Sequence, residues 1–154
     1  MRYKSLFAIA AIAAGLMVSG CTLSSVDTTE TTAIAPKDVS AQDLAQGKAQ
    51  FREANYGLAE KHFRKSVELR ADNAEAWLGL AASYDELRRF DFADRAYEQL
   101  LKVAGRRPEI VSNMGYSQYL RGNPKKARQL LLEAKKSMAD TTVVDANLAL
   151  LKKS

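Results

Sequence analysis

One cysteine, Cys21, and one histidine, His62, hold all the thiol and imidazole chemistry in this 154-residue chain. A lone cysteine excludes an internal disulfide framework. One of each is also too few for a Cys/His zinc site built from this chain alone. Cys21 lies in residues 16–25, "LMVSGCTLSS", just past an apolar run and just before a string of hydroxyl residues. Four uses are open to it: a reactive thiol, a metal ligand, a core residue, or a handle that fixes where the protein resides. His62 stands between Lys61 and Phe63, with no serine, cysteine or carboxylate spaced to make a catalytic pair with it. An exposed histidine without a catalytic role is the expectation.

The residues around Cys21 narrow its use. Arg2 and Lys4 precede thirteen residues, 6–18, "LFAIAAIAAGLMV", and then come the small Ser19 and Gly20. Spanning a bilayer takes roughly 18 or more apolar residues, so this run is short for that purpose. A basic start, a short apolar stretch and small residues at its end are the plan of a secretory signal, a processing segment outside the fold. Residues 1–20 are read as that signal. Val18-Ser19-Gly20-Cys21 resembles the lipobox of bacterial lipoproteins. The resemblance implies that Cys21 is acylated on its thiol, becomes the new amino terminus, and anchors the protein to a membrane. Two or three acyl chains make a lasting anchor where one binds only marginally. Thr22 stands where an aspartate holds many such lipoproteins in the inner membrane, which implies the periplasmic face of the outer membrane. The competing reading is a cysteine that merely follows an ordinary signal.

Residues 21–39 are rich in Thr and Ser, poor in large apolar side chains, and contain Pro36. Such a composition buries too little surface to offset the entropy of ordering it. A lipid-anchored flexible tether is expected, reaching on the order of 25 Å as a coil.

Beyond the tether the chain repeats at a step of 34 residues. Gly47, Ala81 and Gly115 share one position, Ala59, Ala93 and Ala127 a second, and Phe63, Tyr97 and Leu131 a third. A small residue lets two helices approach closely. A bulky one, four residues after an alanine on the same helix face, fills the space between them. Residues 40–73, 74–107 and 108–139 form three copies. In the second, Trp77, Leu80, Ala81, Tyr84, Ala93 and Tyr97 fall at the signature spacing of the tetratricopeptide repeat (TPR), a helix–turn–helix unit that this pattern resembles. Gln50 and Gln118 depart from its usual tyrosine, and Ser66 and Leu100 from a usual alanine. An all-α TPR solenoid over residues 40–154 is therefore expected, with a capping helix at about 142–151 over the open end of the stack. Punctuation agrees: Ser40 with Asp43, Asp72 with Glu75 and Thr142 with Asp145 suit helix starts. Pro108 and Pro124 suit first helical positions, and Gly122 a helix end.

The resemblance implies that the first helices of the repeats line a concave groove for a peptide or protein segment. By position the groove includes Lys48, Phe51 and Arg52, then Glu75, Leu78, Ala82, Asp85 and Glu86, then Ser112, Tyr116, Tyr119 and Leu120. The alternative for Phe51, Tyr119 and Leu120 is packing between repeats, since groove and core positions alternate on one helix. Trp77 is expected in the core. No cofactor or metal is expected, and an enzyme would need a nucleophile or metal set that the sequence does not display. The net charge is +5, with its basic excess on Arg121, Lys125, Lys126, Arg128, Lys135 and Lys136. A solvated helix face is the plain reading of the cluster at Lys125, with anionic lipid or an acidic partner as alternatives. Nucleic acid is not an expected partner of an exported protein. Residues 113–127, "NMGYSQYLRGNPKKA", are similar to repeats of the lipoproteins of Tad (Flp-type) pilus assembly. That implies a non-enzymatic adaptor working with a secretin or other pilus components. The alternatives are a general periplasmic scaffold for peptidoglycan enzymes or outer-membrane protein assembly, or an accessory to a periplasmic protease.

Overall fold

The computed structural model describes residues 38–152; Cys21, the signal before it and most of the tether lie outside the described residues. The helices are α1 (Ala41–Arg52), α2 (Tyr56–Leu69), α3 (Ala74–Glu86), α4 (Phe90–Ala104), α5 (Pro108–Leu120), α6 (Pro124–Lys135) and α7 (Thr142–Leu150). They form three antiparallel hairpins, α1–α2, α3–α4 and α5–α6, and α7 packs on α6. The first helices α1, α3 and α5 are neighbours along one wall.

The turn inside each hairpin is built alike, again at a step of 34 residues. Ala54, Arg88 and Gly122 take positive φ of 58°, 57° and 77°. Their amides donate to the carbonyls of Phe51, Asp85 and Tyr119, and the next amides reach back to those of Gln50, Tyr84 and Gln118. A left-handed residue thus satisfies carbonyls that the helix end leaves unpaired. Glycine adopts this conformation freely, whereas Ala54 and Arg88 hold it against a penalty of about 1–2 kcal/mol each. The same turns account for Gln50 and Gln118. Asn55 Nδ2 donates to Gln50 Oε1, and Asn123 Nδ2 to Gln118 Oε1, both at 3.1 Å. The second copy carries Tyr84 and Arg89 at these positions and has no such pair.

Helix starts differ in detail from the capping expectations. Ser40 makes no side-chain cap on α1. Fully buried instead, its hydroxyl donates to Asp38 Oδ1 at 2.7 Å and receives Asn73 Nδ2 at 3.2 Å. Ser66 Oγ in turn donates to the Ser40 carbonyl, which gives the serine at that departing position a partner. The cap of α3 is Asn73 rather than Asp72: its side chain accepts from the Ala76 amide. Thr141, not Thr142, stands at the N-cap position of α7; its side chain accepts no backbone amide, and its hydroxyl donates to the Asp145 carboxylate at 2.9 Å. Pro108 and Pro124 open α5 and α6 as expected.

The repeated small and bulky positions meet as their spacing requires. A Cβ on Gly47 would stand 2.8 Å from the Phe63 ring, and one on Gly115 2.9 Å from Leu131 Cγ. Gly79 was not singled out by the repeat, yet a Cβ there would come within 2.4 Å of the same Phe63 ring. Phe63 thus closes its own hairpin and wedges against the next. The apolar core falls into two clusters. One runs from Ala59 through Leu100 to Ile110, the other from Val111 to Leu151, and Met114 packs against both. Between the second and third hairpins α4 and α5 touch far less than α2 and α3 do at the preceding junction. Polar side chains join the hairpins there.

Candidate functional site

Residues 75, 78, 79, 82, 85 and 86 recur every three or four positions along α3, so they share one face. That face looks into two adjoining cavities, each of about 250 Å³, which have Phe51 and Ala82 in common. The first cavity is lined by Lys48, Phe51 and Arg52 of α1, by Glu75, Leu78, Gly79 and Ala82 of α3, and by an edge of Phe63. Its surface is almost wholly apolar apart from the rim, where Lys48 Nζ pairs with Glu75 Oε1. Both partners are half-exposed, so the pair fixes the rim and adds little stability. The second cavity gathers Asp85 and Glu86, Ser112, Asn113 and Tyr116, Tyr97 from α4, and Val143 and Asn147 from α7. The groove therefore changes character along its length, from an apolar slot with basic residues at its edge to a more polar cavity with two carboxylates.

Asp85 is the hinge between site and core. It is 2% exposed, receives Tyr97 Oη at 3.0 Å and Ser117 Oγ at 2.7 Å, and lies 3.7 Å from Arg121. Burial holds its carboxyl above the ordinary value, although both hydroxyl donors and the Arg121 charge oppose that rise. Arg121 is itself clamped by Asp94 through two hydrogen bonds of 2.8 and 2.6 Å, and its guanidinium lies 4.9 Å from the Phe90 ring centroid. This cluster occupies the junction where α4 and α5 touch least. Burial, reinforced by the neighbouring Glu86 charge, pushes the Tyr116 hydroxyl above its ordinary value. An uncharged phenol that holds its proton, set beside a carboxylate, can offer an incoming segment both a donor and an apolar ring.

Ten of the twelve residues proposed for the groove line these two cavities: Lys48, Phe51, Arg52, Glu75, Leu78, Ala82, Asp85, Glu86, Ser112 and Tyr116. Asp85 and Ser112 are buried, and the Asp85 carboxylate is already engaged inside the protein, so they shape the wall more than they present groups to a ligand. Tyr119 and Leu120 fall outside both cavities. Tyr119 packs on the second apolar cluster, its ring 6.0 Å from that of Tyr116, and the Leu120 carbonyl accepts from Arg88. Sequence reasoning missed Val143 and Asn147. Both stand 34 residues after Glu109 and Asn113, so carrying the repeat into α7 would have found them. The capping helix thus also ends the groove, with Val143 65% exposed at its mouth.

Trp77 is half-buried rather than enclosed, and its indole N–H donates to the Ala71 carbonyl at 2.8 Å. His62 is tied to α1 through Asp43, at 3.0 Å, and lies away from the groove lining. Among the described residues, no group of three or more His, Cys, Asp or Glu side chains is placed to hold a metal ion. Lys125, Lys126 and Arg128 lie exposed on α6.

No protein-family model matches the chain. The cytochrome c-type biogenesis protein CycH of Pseudomonas aeruginosa is 28% identical over 102 residues, covering 65% of this chain. The chain spans 24% of that relative's length. Three solved structures are similar across about three quarters of the chain. A structure from the functional characterization of Pseudomonas aeruginosa PilF has a TM-score of 0.63 at 24% identity, covering 74% of this chain and 52% of that one. The Arabidopsis OM64 TPR domain has a TM-score of 0.63 at 17% identity, covering 74% and 94%. The Yersinia enterocolitica type III secretion translocator chaperone SycD has a TM-score of 0.64 at 21% identity, covering 75% and 93%. The fold is that of the tetratricopeptide repeat, three helical hairpins and a terminal helix around a concave wall.

Proposed function

We propose that this chain is a lipid-anchored, non-enzymatic adaptor of a bacterial envelope, whose groove holds an extended segment of a partner protein. One observation carries the binding reading: side chains from α1, α3, α5 and α7 converge on two linked cavities with Phe51 and Ala82 between them. The slot beside Leu78 suits a large apolar side chain, and the cavity at Glu86 and Tyr116 suits polar or basic groups. The anchor reading rests on the lipobox resemblance at Cys21. Acylation would consume that sulfur, so its role would be to hold the domain at the periplasmic face of the outer membrane. The pilus reading rests on the resemblance of residues 113–127 to Tad-type assembly lipoproteins, and names a secretin or pilus component as partner. A second reading, an adaptor in cytochrome c-type biogenesis, draws on the 28% identity with CycH.

The test is made in the bacterium of origin with the full-length chain. Phe51→Glu with Tyr116→Glu puts two charges into the groove; Phe51 also packs on the edge of the first apolar cluster, so the level of folded protein is checked by circular dichroism. Loss of secretin multimers, with haem-stained c-type cytochromes unchanged, is the result expected for the pilus reading. Loss of the cytochromes alone would favour the second reading. Intact levels of both would count against either partner. In the same strain Cys21→Ser should leave an unprocessed precursor, and normal processing would remove the anchor reading.

A further inference from the structure

The opposite face of α3 carries a site that the groove does not use. Trp77, Leu80 and Tyr84 lie on this face, turned away from the groove residues, and look into a cleft between α2 and α4. The cleft comprises two adjoining cavities of about 300 and 470 Å³ that share Arg64, Tyr84 and Phe92. Its wall is apolar and aromatic. Phe92 is 51% exposed, and its ring lies 5.3 Å from that of Tyr84. A half-exposed phenylalanine facing a recess is unfavourable in water and leaves an apolar surface for another side chain.

The rim is cationic. Arg64, Arg89 and Arg95 border the cleft, and the Arg95 guanidinium lies 5.5 Å from the Phe92 ring centroid. Glu60, 5% exposed, pairs with both Arg64 and Arg89 and so holds these two guanidiniums at the edge. Glu68 also lines the cleft, paired with Lys65 at 4.0 Å. Against two carboxylates stand three arginines and a lysine, and Arg95 has no carboxylate partner among the described residues. A guanidinium already oriented by one carboxylate keeps further N–H donors free for a second, and its planar fork matches a carboxylate.

We propose that this convex-face cleft is a second docking site, for an acidic segment carrying one large apolar residue. The apolar side chain enters the recess against Trp77 and the paired rings of Tyr84 and Phe92, and flanking carboxylates pair with Arg64, Arg89 and Arg95. The recess favours an inserted side chain over a flat lipid surface, which would meet a protruding rather than a hollow face. The site is independent of the groove, so both can be filled at once.

Trp77 is the only tryptophan in the chain and lines the cleft, so its fluorescence reports occupancy directly. Full-length protein in non-ionic detergent is titrated with a synthetic peptide of one phenylalanine flanked by glutamates. The expected result is a saturable change in Trp77 emission that weakens with added salt. Arg64→Gln with Arg95→Gln should raise the apparent Kd by roughly tenfold or more, with circular dichroism unchanged. Phe51→Glu in the groove should leave the titration unaltered, and Arg128→Gln on α6 serves as the charge control. Three outcomes overturn the proposal: no response to the peptide, an equal response in the double arginine variant, or a response only to anionic phospholipid vesicles.

Discussion

Replacing Phe63 by alanine is expected to cost about 3–5 kcal/mol of stability, among the largest effects of any single change. The ring is 2% exposed and fills the space between two glycines on different hairpins, Gly47 on α1 and Gly79 on α3. Its removal opens a cavity that the flanking backbones cannot collapse to fill, because each glycine has no side chain to offer. Natural domains have only about 5–15 kcal/mol of stability in total, so the loss should be visible as a large drop in urea midpoint. Trp77 emission is a suitable probe, since Trp77 packs against the same apolar cluster. The converse change tests the same contact. Gly79→Ala gains about 1 kcal/mol of helix propensity, yet its Cβ would meet Phe63 at 2.4 Å, so a net loss is expected. Combining Gly79→Ala with Phe63→Leu should recover part of that loss. Strict additivity of the two changes would contradict the wedge.

Asp85→Ala should cost about 3 kcal/mol or more, since it strips the acceptor from two buried hydroxyls and leaves Arg121 short of a partner charge. Tyr97 and Ser117 are 4% and 2% exposed, so water does not replace what is removed. Asp85→Asn keeps the shape and one acceptor, and its amide can donate to a reoriented hydroxyl. Its cost at neutral pH should be far smaller. The pH dependence has a defined sign. Asp85 is held above its ordinary value of 3.8 by burial, so its stabilising contribution is complete below that value and declines as pH rises through the raised one. Asp38, Glu133, Asp140 and Asp145 are held below their ordinary values, chiefly by hydrogen bonds, and their contributions are lost as pH falls. Asn at position 85 should therefore compare more favourably with the native residue at pH 7 than near pH 3. Urea midpoints of both proteins across that range read the difference, and a constant gap would mean that Asp85 titrates normally.

The hairpins were legible because close helix approach demands small residues at fixed intervals, and Gly47, Ala81 and Gly115 could be read directly. The turn conformation at Ala54 and Arg88 was not, since neither residue type announces positive φ and only the shared bond pattern with Gly122 reveals it. The cap of α3 was misplaced by one residue because Asp72 and Asn73 are adjacent and both can cap. Most of the groove followed from carrying one helix face through three copies. Tyr119 and Leu120 did not, because apolar character alone does not say whether a side chain packs on the core or faces the groove, and Tyr119 packs on the second apolar cluster. The Asp85 cluster was opaque for another reason. Position 85 corresponds to Phe51 and Tyr119 in the other copies, so the repeat pattern offers no cue for a buried carboxylate. Its partners Tyr97, Ser117 and Arg121 lie 12 or more residues away.

The central claim is that the concave wall from Phe51 to Tyr116 holds a segment of a partner protein. Photo-crosslinking in living cells tests it most directly, with a benzophenone amino acid placed singly at Phe51, Tyr116 and the outward-facing Arg128. Mass spectrometry of the adducts then reads which peptide each position captures. The predicted result is one partner segment captured from both groove positions, in overlapping peptides, and absent from the position 128 adducts. Capture from position 128 at the same level, or unrelated peptides from positions 51 and 116, would contradict a single peptide-binding groove.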